Sequence, residues 1–143
     1  MFSLDPRLVQ DTHVIGDFPL CRLLLSNDSN YPWFILVPRR EAITELFQLD
    51  DADREQLWKE TNALAELLHR SFKADKMNIA TLGNVVSQLH MHVIVRTQTD
   101  AAWPAPVWGK VPGIPYSETQ LQALRDKVKA ELPAEFVWAG TGA

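Results

Sequence analysis

The run Gln88-Leu89-His90-Met91-His92-Val93-Ile94-Val95-Arg96 alternates polar, ring-bearing side chains with apolar ones, which is the period of a strand with one face in a core. Successive side chains of a strand point to opposite faces, so Gln88, His90 and His92 are expected on one side and Leu89, Met91 and Val93 on the other. Two imidazoles then stand in a row, about 6 to 7 Å apart at their Cα atoms. Histidine is the side chain whose ordinary pKa lies nearest neutrality, and two on one face can supply a neutral nucleophile and a cationic donor together. A lone His on a strand is usually a surface or hydrogen-bonded residue, the reading for His13 and His69. A pair at i and i+2 between Gln88 and Arg96 points instead to chemistry.

The rest of the chain supplies a scaffold. Phe18 to Ser26 and Trp33 to Val37 are two short apolar runs separated by Asn27-Asp28-Ser29-Asn30-Tyr31-Pro32, whose residues favour turns, and they read as an antiparallel hairpin. From Asp50 the period becomes helical, with Leu57, Thr61, Leu64 and Leu68 on one stripe, acidic residues at the start, and His69 and Arg70 near the end. Met77 to Leu82 reads as a strand, Gly83-Asn84 as a turn, and the histidine run as the partner strand. Ala101 to Pro115 carries four prolines with Trp103 and Trp108, so it is expected to be an ordered loop anchored by aromatics. Ser117 and Gln120 have capping-box spacing, and Leu121, Leu124, Val128 and Leu132 make an apolar stripe, so a second helix is expected to about Leu132. The last residues, Gly140 to Ala143, are expected to fray.

With 143 residues the chain reads as one domain, 1–143, large enough for a real core. The formal net charge of -4 offers no global attraction to nucleic acid or to an anionic membrane, so any phosphate must be held locally. Cys21 is the only cysteine, which excludes an internal disulfide and a multi-Cys zinc site. Met1 to Gln10 does not read as a secretory signal, no apolar run approaches the roughly 20 residues of a membrane span, and a cytoplasmic protein is the expectation.

The pattern Gly-Asn-Val-Val-Ser-Gln-Leu-His-Met-His-Val-Ile-Val-Arg, from Gly83 to Arg96, resembles the signature strand of the histidine triad (HIT) superfamily, His-φ-His-φ-His-φ-φ with φ apolar. The early hairpin ending in Val37-Pro38-Arg39-Arg40 and the long helix before the motif fit it, so the resemblance covers about Phe18 to Arg96. It implies an α+β, HIT-like fold with an antiparallel sheet of about five strands, one long helix and a C-terminal helix. It also implies a homodimer that needs no metal or cofactor and binds a nucleotide, with no nucleic-acid or membrane partner. The implied reaction is hydrolysis or transfer at the α-phosphate of a dinucleoside polyphosphate, such as a diadenosine polyphosphate, or of a nucleoside phosphoramidate.

By position, His90 matches the nucleophile that forms a covalent nucleotidyl-imidazole, and His92 matches the histidine that bonds phosphate oxygens and assists charge and proton movement. Asn84, with the backbone near Gly83, matches a phosphate contact, and Asn27 a ribose contact. Two departures stand out. Gln88 occupies the first histidine's place, keeping an amide donor in the catalytic set but no titratable ring. Val85 occupies a place where several members carry a hydroxyl that assists the leaving group. Two other readings remain open on the residues: a nucleotide-binding module with little catalysis, and a metal-binding protein using His90 and His92, although no acidic residue or cysteine lies within seven residues of the pair. Arg39 and Arg40 read mostly as structural cations, Arg96 equally as a structural ion pair or a ligand contact, and Phe18, Trp33 and Phe34 as core more than as a purine pocket.

Overall fold

The computed structural model describes residues 1–140, and the fraying expected of the tail falls, from residue 141 on, outside them. The hairpin forms as its sequence suggests. β2 (Cys21–Ser26) and β3 (Trp33–Pro38) pair antiparallel from Cys21 opposite Pro38 to Leu25 opposite Phe34. Asp28 organises the turn, its Oδ1 accepting from the backbone N–H and side-chain amide of Asn30. β1 (Thr12–Asp17) and a two-residue β6 (Val137–Trp138) extend the sheet on one side, β5 (Met91–Arg96) and β4 (Lys76–Ala80) on the other. The order is β4-β5-β3-β2-β1-β6, with every pairing antiparallel.

Each face of this sheet buries its own set of apolar side chains. Leu23, Leu25, Phe34, Leu36, Met91, Val93 and Val95 face the main core, against Leu57, Leu64 and Leu68 of α2 (Asp51–Phe72) and Leu124 and Val128 of α3 (Glu118–Lys129). Asp50 caps α2 by accepting from the Asp53 N–H, and Ser117 and Gln120 close the expected capping box on α3. Glu60, buried on α2, accepts from the N–H groups of Leu20 and Cys21 at 2.9 and 2.8 Å, which fixes the start of β2 against the helix. On the other face, Leu24, Ile35 and Val37 pack under Leu8 of a short α1 (Pro6–Asp11), with Phe2, Leu4, Trp33 and Val86 alongside. His90 and His92 lie on this second face, beside Leu8 and Ile35.

The antiparallel α+β plan agrees with expectation, and three details differ. The sheet has six strands where about five were expected, because β1 and β6 were not anticipated. The second helix ends at Lys129 rather than near Leu132, although Leu132 still packs against the core. The strand, turn and strand expected around Gly83-Asn84 is opened into a loop over residues 81–90, since the β4/β5 ladder stops at Ala80 opposite His92. No helix among the described residues is long and apolar enough to cross a membrane.

Gly16 lies at the irregularity in the β1/β2 register and opposite Trp138 of β6. A Cβ there would sit 2.3 Å from the Val137 carbonyl oxygen and 2.7 Å from the Phe136 ring. Gly16→Ala is therefore expected to push β6 off the sheet edge, at a cost of about 1–3 kcal/mol in stability. A denaturant midpoint equal to that of the wild type would show that the edge yields freely.

Candidate functional site

The loop over residues 81–90 carries the histidine run back to the sheet and decides which side chains meet. Gly83 has φ +98°, a conformation that favours glycine, and it turns the chain away from β4. His90 lies immediately before β5, with its carbonyl oxygen accepting from the Thr81 hydroxyl at 2.8 Å, and His92 sits within β5, opposite Ile35 of β3 and Ala80 of β4. Both rings are largely buried, at 5% and 6% exposure, and their centroids are 4.8 Å apart at an interplanar angle of 73°.

The two imidazoles have opposite hydrogen-bond assignments, each fixed by a partner with only one role available. His90 Nδ1 lies 2.6 Å from the Gln88 carbonyl oxygen, which only accepts, so Nδ1 carries the proton and Nε2 keeps its lone pair. The Trp33 indole Nε1–H, which only donates, reaches His92 Nδ1 at 2.9 Å, so in the neutral ring of His92 the proton sits on Nε2. The pair thus offers one Nε2 lone pair and one Nε2–H. Burial, and secondarily the neighbouring His90, push the His92 pKa down to about 3. The protein's own surroundings hold His92 neutral, and the cationic donor expected of the pair would need an anionic phosphate beside it.

Both rings open into a cleft of about 370 Å³, within the range of small-molecule sites. Gly83, Asn84, Val85 and Val86 of the loop line it, with Leu8 and Asp11 of α1, Thr12, Ser26, Trp33 and Ile35 of the sheet, and Trp108. Trp108 stands edge-on to His92, with centroids 5.0 Å apart, so the proline-rich loop contributes to the lining of the cleft. Of the residues expected at the site, His90, His92, Gly83 and Asn84 therefore come together.

Gln88 and Asn27 do not join them. The Gln88 side chain turns to the N-terminal segment, where its oxygen accepts from the Asp5 N–H at 2.8 Å and its amide donates to the Ser3 carbonyl at 2.9 Å. Leu89 packs in the main core, so residue 88 is turned toward the second face, but there the N-terminal segment takes up its amide. Gln88 meets His90 through its backbone carbonyl and not through its amide. The Asn27 oxygen already accepts from the Tyr116 N–H and lies 3.0 Å from His13 Nε2, and its neighbour Ser26 faces the cleft instead. Arg39 and Arg40 bond carbonyls of residues 18–20 and Asp53, and Arg96 is buried on Asp100, all outside the cleft. Among the described residues, no group of three or more His, Cys, Asp or Glu is placed to hold a metal ion.

Sequence reasoning missed the contribution of α1 and the hydrogen bond from Trp33. Asp5-Pro6, a capping residue followed by proline at the first helical position, was the available signal for the helix, and Asp5 does accept from the Arg7 N–H. Trp33 pairs with Ile94 and reaches His92 diagonally, which depends on a register that no local pattern reveals.

Trp33→Phe keeps an aromatic ring but removes the donor. His92 is then free to take a proton on Nδ1, so its pKa is expected to rise and its tautomer to mix. Turnover should fall roughly tenfold, the scale of one lost hydrogen bond. The wild-type contribution of His92 to stability, with a folded pKa below the unfolded value of about 6.5, is present above that pH and is lost as pH falls toward 3. In the variant that loss should be smaller, and melting curves across this window check it.

Comparison with known proteins bears on the family and the fold. Solved structures similar to the chain include a histidine triad protein from Marinobacter aquaeolei VT8 at 48% identity, covering 92% of this chain and 96% of that one with a TM-score of 0.90. Histidine triad proteins from Bradyrhizobium japonicum and Sinorhizobium meliloti 1021 are each 43% identical, with TM-scores of 0.89, covering 91% and 92% of this chain and 97% of each of theirs. Among curated proteins none matches. The HIT domain model matches residues 7–99, so the chain belongs to the HIT domain family.

Proposed function

We propose that the protein is a nucleotidyl hydrolase or transferase that cleaves at the α-phosphate of a dinucleoside polyphosphate or nucleoside phosphoramidate through a covalent His90 intermediate. The carrying observation is the opposite assignment of the two buried imidazoles: an Nε2 lone pair on His90 beside an Nε2–H on His92, both at one cleft. The His90 Nε2 lone pair forms a bond to the α-phosphorus while the bond to the leaving group breaks, and the leaving group departs with that electron pair. Water then attacks the same phosphorus, the N–P bond breaks, and a nucleoside monophosphate is released with His90 restored.

His92, held neutral, hydrogen-bonds a phosphoryl oxygen through Nε2–H, and we assign Gly83 and Asn84 to the remaining oxygens. Asp11, Thr12 and Ser26 are the polar groups available to a sugar. A neutral imidazole is a poor proton donor and Val85 brings no hydroxyl, so fast turnover needs a leaving group that departs without a proton from the protein. Cytoplasmic location and a homodimer belong to the same proposal.

Two displacements in succession retain configuration at phosphorus, whereas direct attack by water inverts it. Hydrolysis in 18O water of a substrate with a chiral α-thiophosphate therefore tests the reading. Retention supports the His90 adduct; inversion, or no turnover of either substrate class, overturns it.

A further inference from the structure

We propose that the Gln88 side chain is a clasp that holds the N-terminal segment, Phe2 to Asp11, in place as a wall of the substrate cleft, and so sets affinity more than the rate of the chemical step. The inference rests on the reading of that cleft as the substrate site. The Gln88 amide brackets Leu4, accepting from Asp5 N–H and donating to Ser3 C=O, as a peptide group does in a sheet ladder. A primary amide offers a donor and an acceptor side by side. An imidazole carries its two nitrogens on different edges of the ring, and a carboxylate has no donor for the Ser3 carbonyl.

The segment needs such a tie. α1 has six residues, well below the length of about 12–15 at which an isolated helix is even marginally stable in water, so its position comes from tertiary contacts. Asp5, one of the two residues in the clasp, is also the helix N-cap. One turn further on, Leu8 is buried against Leu24, Ile35 and Val37 and lines the cleft, and Asp11 lines it at the end of the helix. Asp11 also accepts from the Asn27 N–H through its carbonyl at 2.9 Å, so the helix is tied at both ends. The Gln88 carbonyl meanwhile sets the tautomer of His90. One residue thus registers the wall by its side chain and the nucleophile by its backbone.

The test combines hydrogen exchange, binding of AMP and steady-state kinetics on the wild type, Gln88→Ala and Gln88→Glu. Both variants are expected to exchange the amides of residues 3–9 faster and to bind AMP about tenfold more weakly, the scale of one or two lost hydrogen bonds. The kinetic loss should fall on KM more than on kcat. Unchanged exchange over residues 3–9, unchanged AMP affinity despite faster exchange, or a loss confined to kcat would each overturn the clasp. Failure of AMP to bind the wild type counts against the nucleotide reading alone; the exchange result then judges the clasp, faster supporting it and unchanged overturning it.

Discussion

His90→Gln is expected to lower turnover of a nucleotide substrate on the order of 10³ to 10⁶-fold, the range seen when a covalent nucleophile is removed. Glutamine is close in size to the imidazole and can still donate to a main-chain carbonyl, but it has no lone pair able to attack phosphorus. Binding of AMP should change only a few-fold, since Trp33, Trp108, Leu8 and the loop over residues 81–90 remain. Steady-state kinetics beside calorimetric binding separate the two effects. Comparable losses in binding and turnover would make His90 a ligand contact and not the nucleophile.

The second large effect is on stability. Arg96 is 2% exposed and makes two hydrogen bonds to Asp100, at 2.8 and 3.1 Å, one to the Asn78 side chain and one to the Ala105 carbonyl, with its guanidinium over Tyr31 and Trp103. Burial pushes the Asp100 carboxyl up, but Arg96 and the N–H groups of Thr97, Trp103 and Ala102 outweigh it and hold the pKa down at about 2. Arg96→Met leaves that carboxylate buried without its cation, at an expected cost of about 3–5 kcal/mol. For a chain of this size the melting temperature should drop by roughly 10–20 °C. Adding Asp100→Asn removes the charge and keeps an acceptor for the Ala102 and Trp103 N–H groups, though not for that of Thr97, so part of the loss should return. A single variant as stable as the wild type would mean that water reaches Asp100. Because this pair ties the proline-rich loop to β5, it also supports the loop that carries Trp108 into the cleft.

What the chain disclosed in advance follows from the range of its signals. The hairpin, α2 and the capping box of α3 rest on local period and local hydrogen bonds, and each formed where those signals lay. The histidine pair was legible for the same reason, because Met91 alone separates the rings and their faces follow from strand geometry. Gln88 follows the same alternation, with Leu89 in the main core, but its side chain spends its hydrogen bonds on Ser3 and Asp5, a contact more than 80 positions away that no local pattern marks. β6 is two residues long and held by β1, so no local pattern marks it. The tautomer of His92 depends on Trp33, 59 positions away, through a register set by the whole sheet. Asn27 shows the reverse case: a residue matched by position to a sugar contact spends its side chain on His13 and Tyr116.

The central claim is that the His90 imidazole bonds to phosphorus, and rapid base quenching during turnover, followed by peptide mass spectrometry without acid, tests it most directly. The account predicts a nucleoside monophosphoryl group on the peptide containing His90, absent in His90→Gln and labile to acid as expected of an N–P bond. Turnover with no protein-bound nucleotide at any quench time, or a nucleotide on another residue, would contradict it.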